Sequence, residues 1–189
     1  MNIIKKPIIK FVLVFLVILL IIVPQQVNAA KLVLNVNPYC QQNSNWCWAA
    51  ASQSIIEYHR KWETQCQVYK WGKNTTSCTG NEQLSMSGYS ALFQRAGLSP
   101  GTYASYAFNF SSIKGQINAY KPLIGRMEWK SNGGGHAFIV RGYDDTSTLV
   151  HWIYIGNCGE LKTEHRISSY GALADNATWK WTHTQYGMW

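Results

Sequence analysis

The chain has 189 residues, 47% of them hydrophobic, and a formal net charge of +8 at neutral pH, of which Lys5, Lys6 and Lys10 contribute three. The remaining basic residues (Lys61, Lys70, Lys73, Arg95, Lys114, Lys121, Arg126, Lys130) are scattered rather than bunched, which argues against sequence-specific nucleic-acid binding, and no nucleic-acid partner is expected. No internal repeat or low-complexity tract follows the first thirty residues, and the length suits one domain with one core.

In chain order, the three early lysines precede an apolar run from Phe11 to Val23, then Pro24 and Val27-Asn28-Ala29. A basic start, a short apolar middle and a small residue at the exit describe a secretory signal peptide over residues 1–29. The expectation is therefore a secreted chain, extracellular or periplasmic, whose domain spans 30–189 and which has no stable membrane association after cleavage. A helix is expected from near Cys47 to His59–Lys61, capped by Asn45 or Ser44. Trp48, Ala51, Ile55 and Ile56 recur at three-to-four spacing along one buried face. Thr64–Asn81 reads as irregular. A second helix runs from Leu84 to Ala96 with Gly97 as its stop, and a third opens at Ser111 or Ser112 and closes before Pro122. The period then changes: Leu123–Trp129, Ala137–Tyr143, Leu149–Ile155 and Trp179–Tyr186 read as strands. Helices followed by sheet give an α+β class, with N-terminal helices packed on a C-terminal antiparallel sheet.

Five cysteines occur, Cys40, Cys47, Cys66, Cys78 and Cys158. An odd count in an exported chain points to one free thiol and two bridges. If Cys47 is the free one, three pairings of the rest are open. Cys66 and Cys78 enclose a short polar loop suited to a bridge, which leaves Cys40 with Cys158. No Cys-x-x-Cys occurs and the histidines are not spaced as ligands, so neither metal nor cofactor is expected.

The chemistry concentrates in two stretches, Gln41-Gln42-Asn43-Ser44-Asn45-Trp46-Cys47-Trp48 and Gly133-Gly134-Gly135-His136. Cys47 stands where a loop gives way to a helix. Unpaired N–H groups there, with a neighbouring imidazolium, would lower the thiol pKa and make a reactive thiolate at pH 6. Of five histidines, His136 alone follows three glycines, whose missing side chains leave room for a substrate backbone. Asn157, just past the strand expected to pair with that of His136, fits the residue that orients the imidazole; Asp144 and Asp145, at the far end of the His136 strand, are the alternatives. The amide of Gln41, or of Gln42 beside it, would join the Cys47 backbone N–H in stabilising an oxyanion.

Gln41-x5-Cys47-Trp48-Ala49-Ala50, Lys121-Pro122-Leu123-Ile124 and the run from Gly135 to Asp144 together resemble the papain-like cysteine peptidases. The likeness is greatest to the compact bacterial branch related to bacteriocin-leader peptidases and secreted plant-pathogen effector proteases, and it covers the chain from about Asn35 to its end. The resemblance implies Cys47 as nucleophile, His136 as general base and acid, Gln41 as oxyanion donor and Asn157 as the orienting residue. Many relatives show Asp-Pro where this chain has Gly156-Asn157-Cys158. In that fold a Cys40–Cys158 bridge would staple the loop of the orienting residue to the oxyanion glutamine. The expected activity is secreted endopeptidase hydrolysis of a polypeptide substrate by a monomer. The alternatives are a peptidoglycan or isopeptide hydrolase with the same site and, given nine tryptophans and eleven tyrosines, a non-catalytic binding module.

Overall fold

A computed structural model describes residues 30–59, 61–159 and 163–189. The expected leader, residues 1–29, lies outside them. The elements are β1 (Lys31–Val33), α1 (Cys47–Tyr58), α2 (Gln65–Lys73), α3 (Gly88–Arg95), β2 (Thr102–Ala104), α4 (Phe110–Asn118), β3 (Leu123–Trp129), β4 (Gly135–Asp144), β5 (Leu149–Tyr154), β6 (Glu164–Ser169), α5 (Tyr170–Ala174) and β7 (Trp179–Tyr186). The strands form one seven-stranded antiparallel sheet in the order β2-β7-β3-β4-β5-β6, with β1 paired to the far end of β4. The α+β class follows from this arrangement.

The helix carrying Cys47 departs from the amphipathic expectation. Nine consecutive residues, Trp48 to Ile56, are buried, because α1 packs on β4 on one side and on α2 on the other. Ala49, Ala50 and Ala51 suit that position, since small side chains let a helix approach a sheet closely on every side. Its N-cap is Trp46 and no side chain caps it, so neither Asn45 nor Ser44 does that work. Asn45 instead bonds Asn81 with both its backbone and its amide, and Ser44 Oγ accepts from Asn81.

Two tryptophans fix the helix start. Trp46 Nε1 donates to the Gly80 carbonyl (3.0 Å) and Trp48 Nε1 to that of Glu82 (3.1 Å). The Trp46 ring stacks on Tyr69 at 4.5 Å, a partner supplied by α2. That helix lies inside the stretch expected to be irregular. Thr64 caps it by accepting from the Gln67 N–H, and Cys66 within it bonds Cys78. On the sheet, Phe138 fills the space beside Gly125, where an added Cβ would fall 2.2 Å from the ring. Phe138 makes edge contacts with Trp152 and Trp181, so the β4 segment behind His136 is rigidly packed.

Candidate active site

Two walls meet at the start of α1. The first is the loop from Cys40 to Trp46. The Gln41 N–H donates to the Gly156 carbonyl (2.8 Å) and the Cys158 N–H to the Gln41 carbonyl (3.1 Å), so Gln41 and Asn157 form a parallel bridge. Cys40 and Cys158 are disulfide-bonded beside it. Buried Gln65 holds the same loop from behind: its amide donates to the Cys40 carbonyl and to Gln53 Oε1, while its own oxygen accepts from the Gln42 N–H. Nothing in the sequence marks Gln65 as a support of the site, because its partners lie up to 25 positions away.

The second wall is the start of β4. Cys47 is the one free cysteine among the described residues, and its Sγ accepts from the Ala137 N–H at 3.4 Å. The sulfur is thus seated against the residue that follows His136, and Cys47 and His136 line one pocket. His136 Nε2 is bonded to the backbone carbonyl of Ile155 at 2.8 Å, and the ring stacks on Tyr154 (5.0 Å between centroids). A carbonyl only accepts, so Nε2 carries hydrogen in both the neutral and the charged ring. Nδ1 is then the nitrogen that gains or loses a proton.

The structure therefore brings Cys47 and His136 together, and sets Gln41 and Asn157 side by side in the adjacent loop. It gives the ring nitrogen a partner two residues before Asn157. A backbone carbonyl has no side-chain signature, so Ile155 was invisible in the sequence. Gln41 is 4% exposed, and its amide donates to the carbonyls of Ser44 (2.7 Å) and Asn43 (3.2 Å), leaving Oε1 buried without a partner among the described residues. Both hydrogens of that amide shape the turn into α1. Gln42 is exposed. Asp144 and Asp145 face away from the site, toward Lys31 and Lys114 respectively.

The electrostatics differ from those of a ready-made thiolate. Burial pushes the Cys47 thiol up. The N–H groups of Ala137, Trp48 and Cys47 itself, and then the Arg126 charge, pull it down, and burial prevails. Burial likewise holds His136 below the ordinary imidazole value, with the Ile155 carbonyl opposing. Thiol up and imidazole down both favour the neutral form of the pair. The thiolate fraction grows only as pH exceeds the raised thiol value, so alkylation of Cys47 by iodoacetamide should be slow at pH 6. It should climb through the alkaline range past the usual cysteine value of about 8.5. A rate already at its plateau at pH 6 would reverse this reading and restore the ion pair expected from the sequence.

Residues 33–186 match the Peptidase_C39 like family. Among solved structures the chain is similar to xylellain, a cysteine protease from Xylella fastidiosa, at 13% identity and a TM-score of 0.53, over 82% of this chain and 85% of that one. No curated protein matches the chain. With a thiol at a helix start facing a histidine strand, and with the family match spanning the domain, the chain belongs to the Peptidase_C39 like family and is a papain-like cysteine peptidase.

Proposed function

We propose that the chain is a secreted endopeptidase in which Cys47 is the nucleophile and His136 the general base and acid. The observation that carries this reading is the Ala137 N–H bond to Cys47 Sγ, which holds the sulfur against the residue after His136, in a pocket that both side chains line and with the imidazole Nε2 already held. As sulfur attacks the substrate carbonyl carbon, His136 Nδ1 takes the thiol proton. Collapse of the tetrahedral species breaks the C–N bond, and the imidazolium gives its proton to the departing amine. Water, deprotonated by the same nitrogen, then attacks the thioester, releases the acid and returns the proton to sulfur.

The N–H of Cys47, at the first turn of α1, is the backbone donor for the oxyanion. Gln41 joins it as a second donor by giving up its longer bond, the 3.2 Å contact to Asn43. Export is supported by the leader composition and by two disulfides, which persist in oxidising compartments. Casein hydrolysis by the mature chain, lost in Cys47→Ala, is the expected result. Clearing of cell-wall suspensions without casein hydrolysis would move the substrate to peptidoglycan cross-links. Thiol-independent hydrolysis would defeat the reading.

A further inference from the structure

The pocket that holds the sulfur and the imidazole extends past them. Leu84, Met86 and Tyr89 line it on the helical side and Gly135, Ala137 and Arg126 on the sheet side, around a volume of about 40 Å³. Arg126 is the one charged side chain among the described lining residues.

A β-bulge sets where Arg126 points. On β7, His183 pairs with Arg126 and Trp181 with Met127, so Thr182 is the extra residue between them. Thr182 Oγ1 donates to the Arg126 carbonyl (3.3 Å) and accepts from Arg126 Nη1 (2.9 Å), clamping backbone and side chain together. Glu128 also takes Nη1, at 2.9 Å. The Nε and Nη2 atoms make no hydrogen bond among the described residues. Gly135 borders the group: a Cβ there would fall 2.6, 2.7 and 2.8 Å from Nε, Nη2 and Cζ. Nε and Nη2 are the nearest atoms and Cζ the farther one, so that Cβ would lie off the Nε–Nη2 edge, and the side chain that glycine lacks is the one that would cover this edge. That edge is the fork that grips a carboxylate with two parallel hydrogen bonds. Across the pocket, Tyr89 is 2% exposed and its hydroxyl has no hydrogen bond among the described residues.

We propose that Arg126 is a specificity-determining residue that receives the carboxylate of an aspartate or glutamate side chain within two residues of the scissile bond, so that this peptidase selects acidic sequences. The inference rests on the Cys47–His136 reading of the site. A lysine there would meet a fixed positive charge. A neutral isostere would leave the fork short of an acceptor, and charge-assisted bonds of this kind are worth about ten- to a hundredfold in kcat/KM.

The test uses the mature chain and quenched fluorescent peptides carrying Glu, Gln or Lys at each position flanking the cleaved bond. At one position Glu should exceed Gln by about ten- to a hundredfold, with Lys poorest. The Glu/Gln ratio should shrink in Arg126→Lys, which keeps charge but loses the fork, and collapse to near one in Arg126→Gln. Equal rates for Glu and Gln in the unmodified enzyme, or a ratio that survives in Arg126→Gln, would overturn the proposal while leaving the peptidase reading intact. Should no peptide be cleaved, that reading fails. Binding of the same peptides to Cys47→Ala and to Cys47→Ala/Arg126→Gln, by fluorescence anisotropy, then decides the proposal by the same ratio. If Arg126→Gln does not fold, the unmodified enzyme and Arg126→Lys still decide it.

Discussion

His136→Ala should lower kcat by about 10²–10⁴-fold, the range a positioned general base supplies, whereas Asn157→Ala should lower it by less than about tenfold. The asymmetry follows from the ring's hydrogen bonds. Orientation of the imidazole depends on an acceptor at Nε2, and here that acceptor is the Ile155 carbonyl, which no side-chain substitution removes. Stacking on Tyr154 fixes the ring plane independently of residue 157. The pairing of Asn157 with Gln41 runs through backbone, since Gln41 N–H and C=O bond Gly156 and Cys158, and it survives truncation of the amide. Steady-state kinetics on one peptide substrate with both variants separates the two effects. An Asn157→Ala defect as deep as that of His136→Ala would mean that the amide, not the carbonyl, governs the ring during turnover.

The second large effect concerns the bridge between the two walls. The Cys40–Cys158 disulfide closes a loop of 118 positions, and Cys66–Cys78 one of 12. Removing a native bridge costs about 2–5 kcal/mol, more for the longer loop in the chain-entropy account. For a domain of this size that corresponds to a Tm lowered by roughly 4–20 °C. Cys40→Ser/Cys158→Ser should therefore melt earlier than Cys66→Ser/Cys78→Ser. It should also lose activity at temperatures where it remains folded, because Gln41 and Gly156 are adjacent to the severed bond. The Cys66–Cys78 bridge joins α2 to the loop whose Gly80 and Glu82 carbonyls hold Trp46 and Trp48, on the helical wall alone, so its loss should reduce stability and lower turnover less than loss of the first bridge. Thermal melts and rates for both double variants check this, and equal loss of activity in the two would show that the first bridge has no special hold on the site.

Side-chain pattern made the strands of the inner sheet readable. Leu123–Trp129 and Trp179–Tyr186 occupy the expected positions, and the expected Ala137–Tyr143 gains residues at both ends. Apolar runs with β-branched and aromatic residues bounded by turn residues carry that signal locally. Outer elements were not legible. β1, β2 and β6 are short or mostly exposed, and β1 and β2 draw their hydrogen bonds from strands distant in sequence. The exposed side chains of β6, such as Ile167, follow no alternation that a reader could use. For α2 the cue was present, as Thr64 accepts from Gln67 in the manner of a helix cap, but its polar composition obscured it.

The site divides in the same way. Cys47 and His136 were legible from type and local setting: a thiol at a loop-to-helix junction, and an imidazole after glycines. Features resting on backbone atoms or on tertiary placement were not. The Ile155 carbonyl, the Ala137 N–H and the bulge at Thr182 that aims Arg126 have no residue-type signature. Local sequence and folded surroundings pull the thiol's charge state in opposite directions. Helix-start N–H groups favour thiolate, and their presence is readable, but the opposing burial of the sulfur is a property of the folded walls.

The most direct measurement of the Cys47–His136 pair is acyl trapping with an activated peptide ester, followed by intact-mass and peptide-map analysis. One acyl group should appear on Cys47, be absent in Cys47→Ala, and form far more slowly in His136→Ala across pH 6–8. An acyl group mapped to any other residue, or formation on Cys47 at an unchanged rate without His136, would contradict the account.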